Sequence, residues 1–175
     1  GSTVTINASR QNAGTSTITY AYSTDNSNWT TIASTTSTTQ SWTLPDVTST
    51  TTYYVKASMT YESTGYSDTE TFTVYGKKTI KVKDTNSWGA NFKIHRWGGD
   101  ATGTDYPGET TNITSAGGQW KQIVLYSSST NFLLCNGSST STADANKTAN
   151  QTYAGVTDGY CYQIQSGTGG SLTLT

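Results

Sequence analysis

The strongest constraint on this chain is its punctuation. Short runs rich in Thr, Val, Ile, Tyr and Trp recur along the length, each closed by a turn signal within a few residues. Val4-Thr5-Ile6-Asn7-Ala8 alternates and is followed by Asn12-Ala13-Gly14. Thr17-Ile18-Thr19-Tyr20-Ala21-Tyr22 runs into Asp25-Asn26-Ser27-Asn28. Trp29-Thr30-Thr31-Ile32 and Gln40-Ser41-Trp42-Thr43-Leu44 follow, the latter stopped by Pro45-Asp46. A longer run over 51–58 and another over 70–75 complete a first set. β-branched and aromatic side chains suit a half-buried pleated surface, and strands at this spacing pack as sheet on sheet. A chain with 12% charged residues is also poor in the Glu and Lys that long helices draw on.

A second set of runs begins at Thr79-Ile80-Lys81-Val82-Lys83. It continues through Phe92-Lys93-Ile94-His95-Arg96-Trp97, Gln119-Trp120-Lys121-Gln122-Ile123-Val124-Leu125-Tyr126, a run over 131–135 and one over 160–164. The 175 residues therefore read as an all-β chain with two β-sandwich domains in tandem, 1–76 and 77–175. The tail Gly167-Thr168-Gly169-Gly170 reads as linker. In the first domain Trp29, Trp42 and Tyr53 are expected in the core or at a corner, and Tyr61 and Tyr66 on a hairpin surface. In the second, Trp88 and Trp120 are expected to be core or scaffold. The Lys77, Lys78, Lys81 and Lys83 run reads as a solvated strand face, and alternating lysines also protect an edge strand from pairing with strangers.

Several function classes find no footing. A formal charge of −1 points to no nucleic acid and no anionic membrane, and no apolar run is long enough to span a bilayer. No secretory leader is read at the start, where Gly1-Ser2 has the look of a cloning remnant. The two cysteines, Cys135 and Cys161, fit no zinc spacing and are compatible with one disulfide or with two small buried thiols. No cofactor or metal is expected. Catalysis also lacks a constellation: His95 is the single histidine, and Asp100, Asp105 and Glu109, in one loop region, read as solvated carboxylates rather than a hydrolytic pair.

A binding surface is easier to read. Alternation along 92–97 sends Phe92 and Ile94 to one face and Lys93, His95 and Trp97 to the other. Tyr106 stands on a loop before Pro107-Gly108. A sugar ring offers C–H groups on its face and hydroxyls around its edge; aromatic rings stack on the first, and amine, amide or imidazole groups bond the second. Two rings set at an angle suit a curved α-1,4-glucan better than a flat β-glucan.

Two resemblances sharpen this reading. Leu44-Pro45-Asp46 leading to Tyr53, a tyrosine-corner pattern, together with Trp29, resembles a fibronectin type III domain over residues 3–75, with the first strand of that family missing or atypical. Asn86-Ser87-Trp88, Phe92-Lys93-Ile94-His95-Arg96-Trp97, Tyr106-Pro107-Gly108, Gly118-Gln119-Trp120 and Leu134-Cys135-Asn136-Gly137 resemble, in order, the motifs of family 26 starch-binding carbohydrate-binding modules over about residues 78–165. That resemblance implies stacking platforms at His95 and Tyr106, where the family more often has Tyr and Trp. It implies Gln151 bonding sugar hydroxyls and an insertion between Gly137 and Asn150, while the residues themselves leave Trp97 either capping the core or lining the site and put Lys93 within reach of sugar hydroxyls. It also implies non-catalytic binding of starch, amylopectin and maltooligosaccharides by a monomeric piece of a larger protein, extracellular or on a bacterial cell surface. A protein-interaction module of adhesin type, and a module for another glycan, are the alternatives.

Overall fold

The structure, a computed structural model, describes residues 2–11, 13–138 and 146–165, and the backbone of 172–174. The linker read at 167–170 and most of the expected insertion, 139–145, lie outside the described residues. The chain is all-β, with a 3-10 turn at Gly89–Asn91, and it divides into two compact units, Gly1–Val74 and Tyr75–Thr175.

The first unit has six strands among its described residues. β1 (Thr3–Asn7) pairs with β4 (Thr39–Thr43). β2 (Ile18–Ser23), β3 (Thr30–Thr35), β5 (Thr51–Tyr61) and β6 (Thr64–Val74) form a second, antiparallel sheet in the order β3-β2-β5-β6. Trp42, Leu44, Tyr53 and Val55 make the buried centre, with Val4, Ile6, Tyr22, Ile32 and Phe72 packed on it. Its aromatic rings interlock: Tyr22 stacks on Trp42 at 4.6 Å between centroids, and Trp42 meets Tyr53 edge-on at 5.5 Å. Such offset and perpendicular contacts are the arrangements that ring quadrupoles favour. Trp29 departs from expectation. It lies just before β3 and is half-buried, with the Lys56 ammonium 3.9 Å over its ring. It forms a cation–π lid on the sheet rather than a core residue. Between Tyr61 and Thr64 the β5–β6 hairpin turns on Glu62 and Ser63, both at positive φ.

In the second unit, β7 (Lys77–Lys83), β9 (Ile113–Ser115), β10 (Trp120–Tyr126), β13 (Cys161–Ile164) and β14 (Leu172–Leu174) form a sheet in the order β14-β13-β7-β10-β9. β8 (Phe92–Trp97), β11 (Asn131–Asn136) and the two-residue β12 (Gln151–Thr152) form a smaller sheet in the order β12-β11-β8. Alternate residues of both sheets meet in one cluster: Ile80, Val82, Ile123, Leu125 and Ile164 from the larger sheet, Phe92, Ile94, Phe132 and Leu134 from the smaller. Trp88 joins this core as expected. The turn carrying it is held by the buried Asp84 carboxylate, which accepts the backbone N–H groups of Trp88 at 3.0 Å and Gly89 at 2.7 Å. Those two bonds satisfy a charge that would otherwise be expensive to bury.

Two expectations for this unit are corrected. β7 pairs with β10 along its whole length and with β13, in parallel, over residues 81–83, so Lys81 and Lys83 guard no edge. Lys78 faces inward, and its ammonium donates to the carbonyls of Tyr153 at 2.8 Å and Val156 at 2.7 Å. Trp120 is half-buried, and its register opposite Lys83 sets it on the outer face of the sheet, away from Ile123 and Leu125. The cysteines are both free thiols, placed in different sheets. Burial pushes the Cys135 thiol up to about 11.

Candidate binding site

β8 positions the site by its pleat. Phe92 and Ile94 enter the core at 2% and 1% exposure, so Lys93, His95 and Trp97 stand together on the opposite face, each half-buried. The chain then leaves β8 at Gly98 and Gly99, both at positive φ, and returns along the free side of the same strand. Thr104 donates its N–H to the Arg96 carbonyl at 2.9 Å, and Ile94 and Glu109 exchange two backbone bonds of 2.9 Å. The Arg96 guanidinium closes the return with an ion pair to the Glu109 carboxylate.

Within this returning segment, Asp105 to Gly108 form a tight turn with a cis Tyr106–Pro107 bond and a 2.6 Å hydrogen bond from the Gly108 N–H to the Asp105 carbonyl. Pro107 fixes one φ of that turn and Gly108 supplies a φ of +94°. The turn carries the Tyr106 ring to His95. The two ring centroids lie 5.9 Å apart with planes at 79°, while His95 and Trp97 stack at 5.1 Å and 25°. Three rings thus share one face, two roughly parallel and one nearly perpendicular. Beneath them the facing residues of β11 are apolar and covered: Leu133 opposite His95, and Cys135 opposite Lys93, its thiol donating to the Pro107 carbonyl.

Lys93 lies two residues before His95 on the same face, and its aliphatic stem passes over Gly137. A Cβ at Gly137 would fall 2.4 Å from both Cδ and Cε of Lys93. Gln151 does not join this group. β12 pairs it with Phe132, which pairs in turn with Arg96, on the opposite side of the sheet, and its amide donates to the Ala149 carbonyl at 3.1 Å. Two polar residues at the site escape sequence reasoning. Thr104 orients the imidazole, with its hydroxyl 3.2 Å from His95 Nδ1 while also accepting the Arg96 N–H at 2.9 Å. Asn131 stands directly opposite Trp97. Thr104 carries no signal in a loop of similar residues, and Asn131 could be found only from the β8–β11 register. Of the loop carboxylates, Glu109 is held by Arg96, Asp100 accepts from the Tyr75 hydroxyl at 3.1 Å, and Asp105 is exposed.

Burial lowers the His95 pKa below its ordinary 6.5, with the Thr104 hydrogen bond and the Asp105 charge opposing only in part. The imidazole is therefore neutral at pH 7, and with Nδ1 engaged by Thr104 it meets a ligand through Nε2. A folded-state value below the unfolded one means that the unfolded chain takes up a proton first as acid is added. The stabilising contribution is complete above pH 6.5 and is lost as pH falls through the lower folded value. Because this is the chain's single histidine, one imidazole proton resonance reports it. Its NMR titration midpoint is expected below 6.5, and a midpoint at or above that value would contradict the burial described here.

A scan of protein-family models and searches of curated proteins and of solved structures find no match to this chain.

Proposed function

We propose that the second unit binds α-1,4-linked glucan chains, as found in starch, amylopectin and maltooligosaccharides, without catalysing their cleavage. The observation that carries this reading is the 79° angle between the Tyr106 and His95 planes on one face, beside the His95–Trp97 stack. Each ring keeps part of its surface in solvent. Successive sugars of a bent chain present their C–H faces in different directions, and two ring planes set at a corner can meet two of them. A flat β-linked chain would ask for coplanar rings. Lys93 Nζ and His95 Nε2 supply hydrogen bonds to ring hydroxyls, and Asn131 takes the place that Gln151 cannot reach on this face.

An open site of this kind binds weakly, at about micromolar to millimolar Kd, or roughly −8 to −4 kcal/mol. Useful retention on a polymer then comes from several modules acting together. That suits a place in a larger secreted or surface-anchored starch-degrading or starch-adhering protein, with the first unit as a spacer. The adhesin alternative draws on a different observation, the eleven-residue edge strand β6, whose side chains from Thr64 to Thr71 are exposed.

Isothermal titration with maltooligosaccharides of increasing length tests the proposal. Saturable heat should appear, with affinity rising until the chain spans both ring planes and then levelling, and cellohexaose should give none. Silence with millimolar maltoheptaose would refute glucan binding, and equal heat from cellohexaose would move the reading to another glycan.

A further inference from the structure

Lys77, Lys81 and Lys83 of β7 remain unexplained by the site above, and Lys81 and Lys83 do not protect an edge. Residues paired across the larger sheet point to the same side, so its outer face can be read rung by rung. Trp120, Lys83 and Gln163 form one rung, and Gln122, Lys81 and Cys161 the next. Lys77 follows further along β7, opposite Tyr126. Lys77 and Lys81 are exposed, while Lys83, Trp120, Gln122 and Gln163 are half-buried. No described residue at these paired positions is a carboxylate. Asp84, next to Lys83, is buried and turned to the backbone of Trp88 and Gly89, and Asp158 accepts the Thr79 backbone N–H at 2.6 Å.

We propose that this outer face is a second, separate binding surface, which takes an acidic polysaccharide: Trp120 stacks on a sugar ring, Gln122 and Gln163 bond its hydroxyls, and Lys81 and Lys83 meet its carboxylates. The charge spacing selects this class of polymer. Lys81 and Lys83 lie about 7 Å apart along the strand, and Lys77 roughly 13 Å beyond Lys81. A nucleic-acid duplex presents one phosphate about every 1.7 Å of its axis, which three lysines over some 20 Å would leave almost wholly unneutralised. A sugar polymer with carboxylates spaced at intervals matches a sparse row. It also offers the C–H faces that a solvent-side tryptophan would otherwise lack, and an outward tryptophan flanked by two glutamines has little use in a merely solvated face.

The surface lies on the sheet opposite to the one bearing Tyr106, so the two readings can be tested apart. The full chain is run through native gels containing polygalacturonate, amylopectin or a short duplex DNA at fixed ionic strength. Polygalacturonate should retard the wild type, less so as salt is raised. Lys81→Ser/Lys83→Ser should weaken that retardation by about tenfold, and Trp120→Ala should weaken it further, while all variants keep the wild-type response to amylopectin. Lys81→Ser alone, at an exposed position, serves as the variant least able to disturb folding, and circular dichroism checks each. An absence of retardation by polygalacturonate, equal retardation of wild type and lysine variants, or tighter binding of the duplex would each overturn the proposal. The amylopectin arm, with Tyr106→Ala as its own control, reports separately on the α-glucan site.

Discussion

Tyr106→Ala abolishes retention of the chain in an amylopectin gel while leaving its circular dichroism unchanged: this is the expected result of removing the perpendicular ring. One face of a tyrosine ring laid on a sugar takes roughly 80 Å² of apolar surface out of water, under half of what such a ring buries in a core. At about 25 cal/mol per Å² that is about 2 kcal/mol, or roughly a 30-fold change in Kd. A site whose whole affinity is weak falls below detection at that loss. The fold is expected to survive because Tyr106 sits on a loop, half-buried, and lies outside the core cluster of the unit. The backbone bonds that hold the loop to β8 involve Thr104 and Glu109 rather than the tyrosine ring. Tyr106→Phe keeps the ring and should retain most of the binding. Full retention by Tyr106→Ala in a folded protein would remove Tyr106 from the site and with it the angled-plane argument.

Gly108→Ala should have a larger effect, and on stability rather than on affinity alone. A Cβ built at Gly108 lies 2.1 Å from the Ile94 carbonyl oxygen and 2.4 Å from its carbon, and the backbone φ is +94°. The obstructing atoms are backbone atoms of a core strand whose own side chain is 1% exposed, so they cannot swing aside as a flexible side chain would. Either the turn opens, losing the paired bonds between Ile94 and Glu109, or β8 shifts. Strain at such a position combined with lost hydrogen bonds costs on the order of 3 kcal/mol or more. For a unit of about a hundred residues that corresponds to a fall in melting temperature on the order of 10 °C or more. Differential scanning calorimetry should show the drop, and amylopectin retention should fall with it because the same turn presents Tyr106. A melting temperature within a degree or two of the wild type would mean that the turn does not hold the close approach described.

How much of this was legible in the sequence depends on whether each feature is local. The split of β8 into an inward Phe92 and Ile94 and an outward Lys93, His95 and Trp97 follows from the period-two pleat alone, and the structure has that split. The burial of Trp42 and Tyr53 is likewise carried by short alternating runs. Features that depend on pairing were not legible. Lys77, Lys81 and Lys83 look like an edge pattern, but strand order is decided by which distant segments meet, and β13 arrives from eighty residues away to lie beside β7. Gln151 fails for the same reason: one step of register on a two-residue strand exchanges the faces of a sheet, and no local pattern reveals the step. Trp29 and Trp120 carry the same side chain as the core tryptophans and differ only in what the tertiary structure sets beside them.

Alternation and turn chemistry act between near neighbours, so an all-β chain, most of its strands and the residues of β8 that could face a ligand are readable from the order of the amino acids. The tertiary structure alone decided that Tyr106 meets His95 at right angles, that Gln151 does not join them, and that the β7 lysines lie in the middle of a sheet beside Trp120. These are consequences of non-local hydrogen bonding, whose register and order are selected by the packing of the whole unit rather than by any stretch of it.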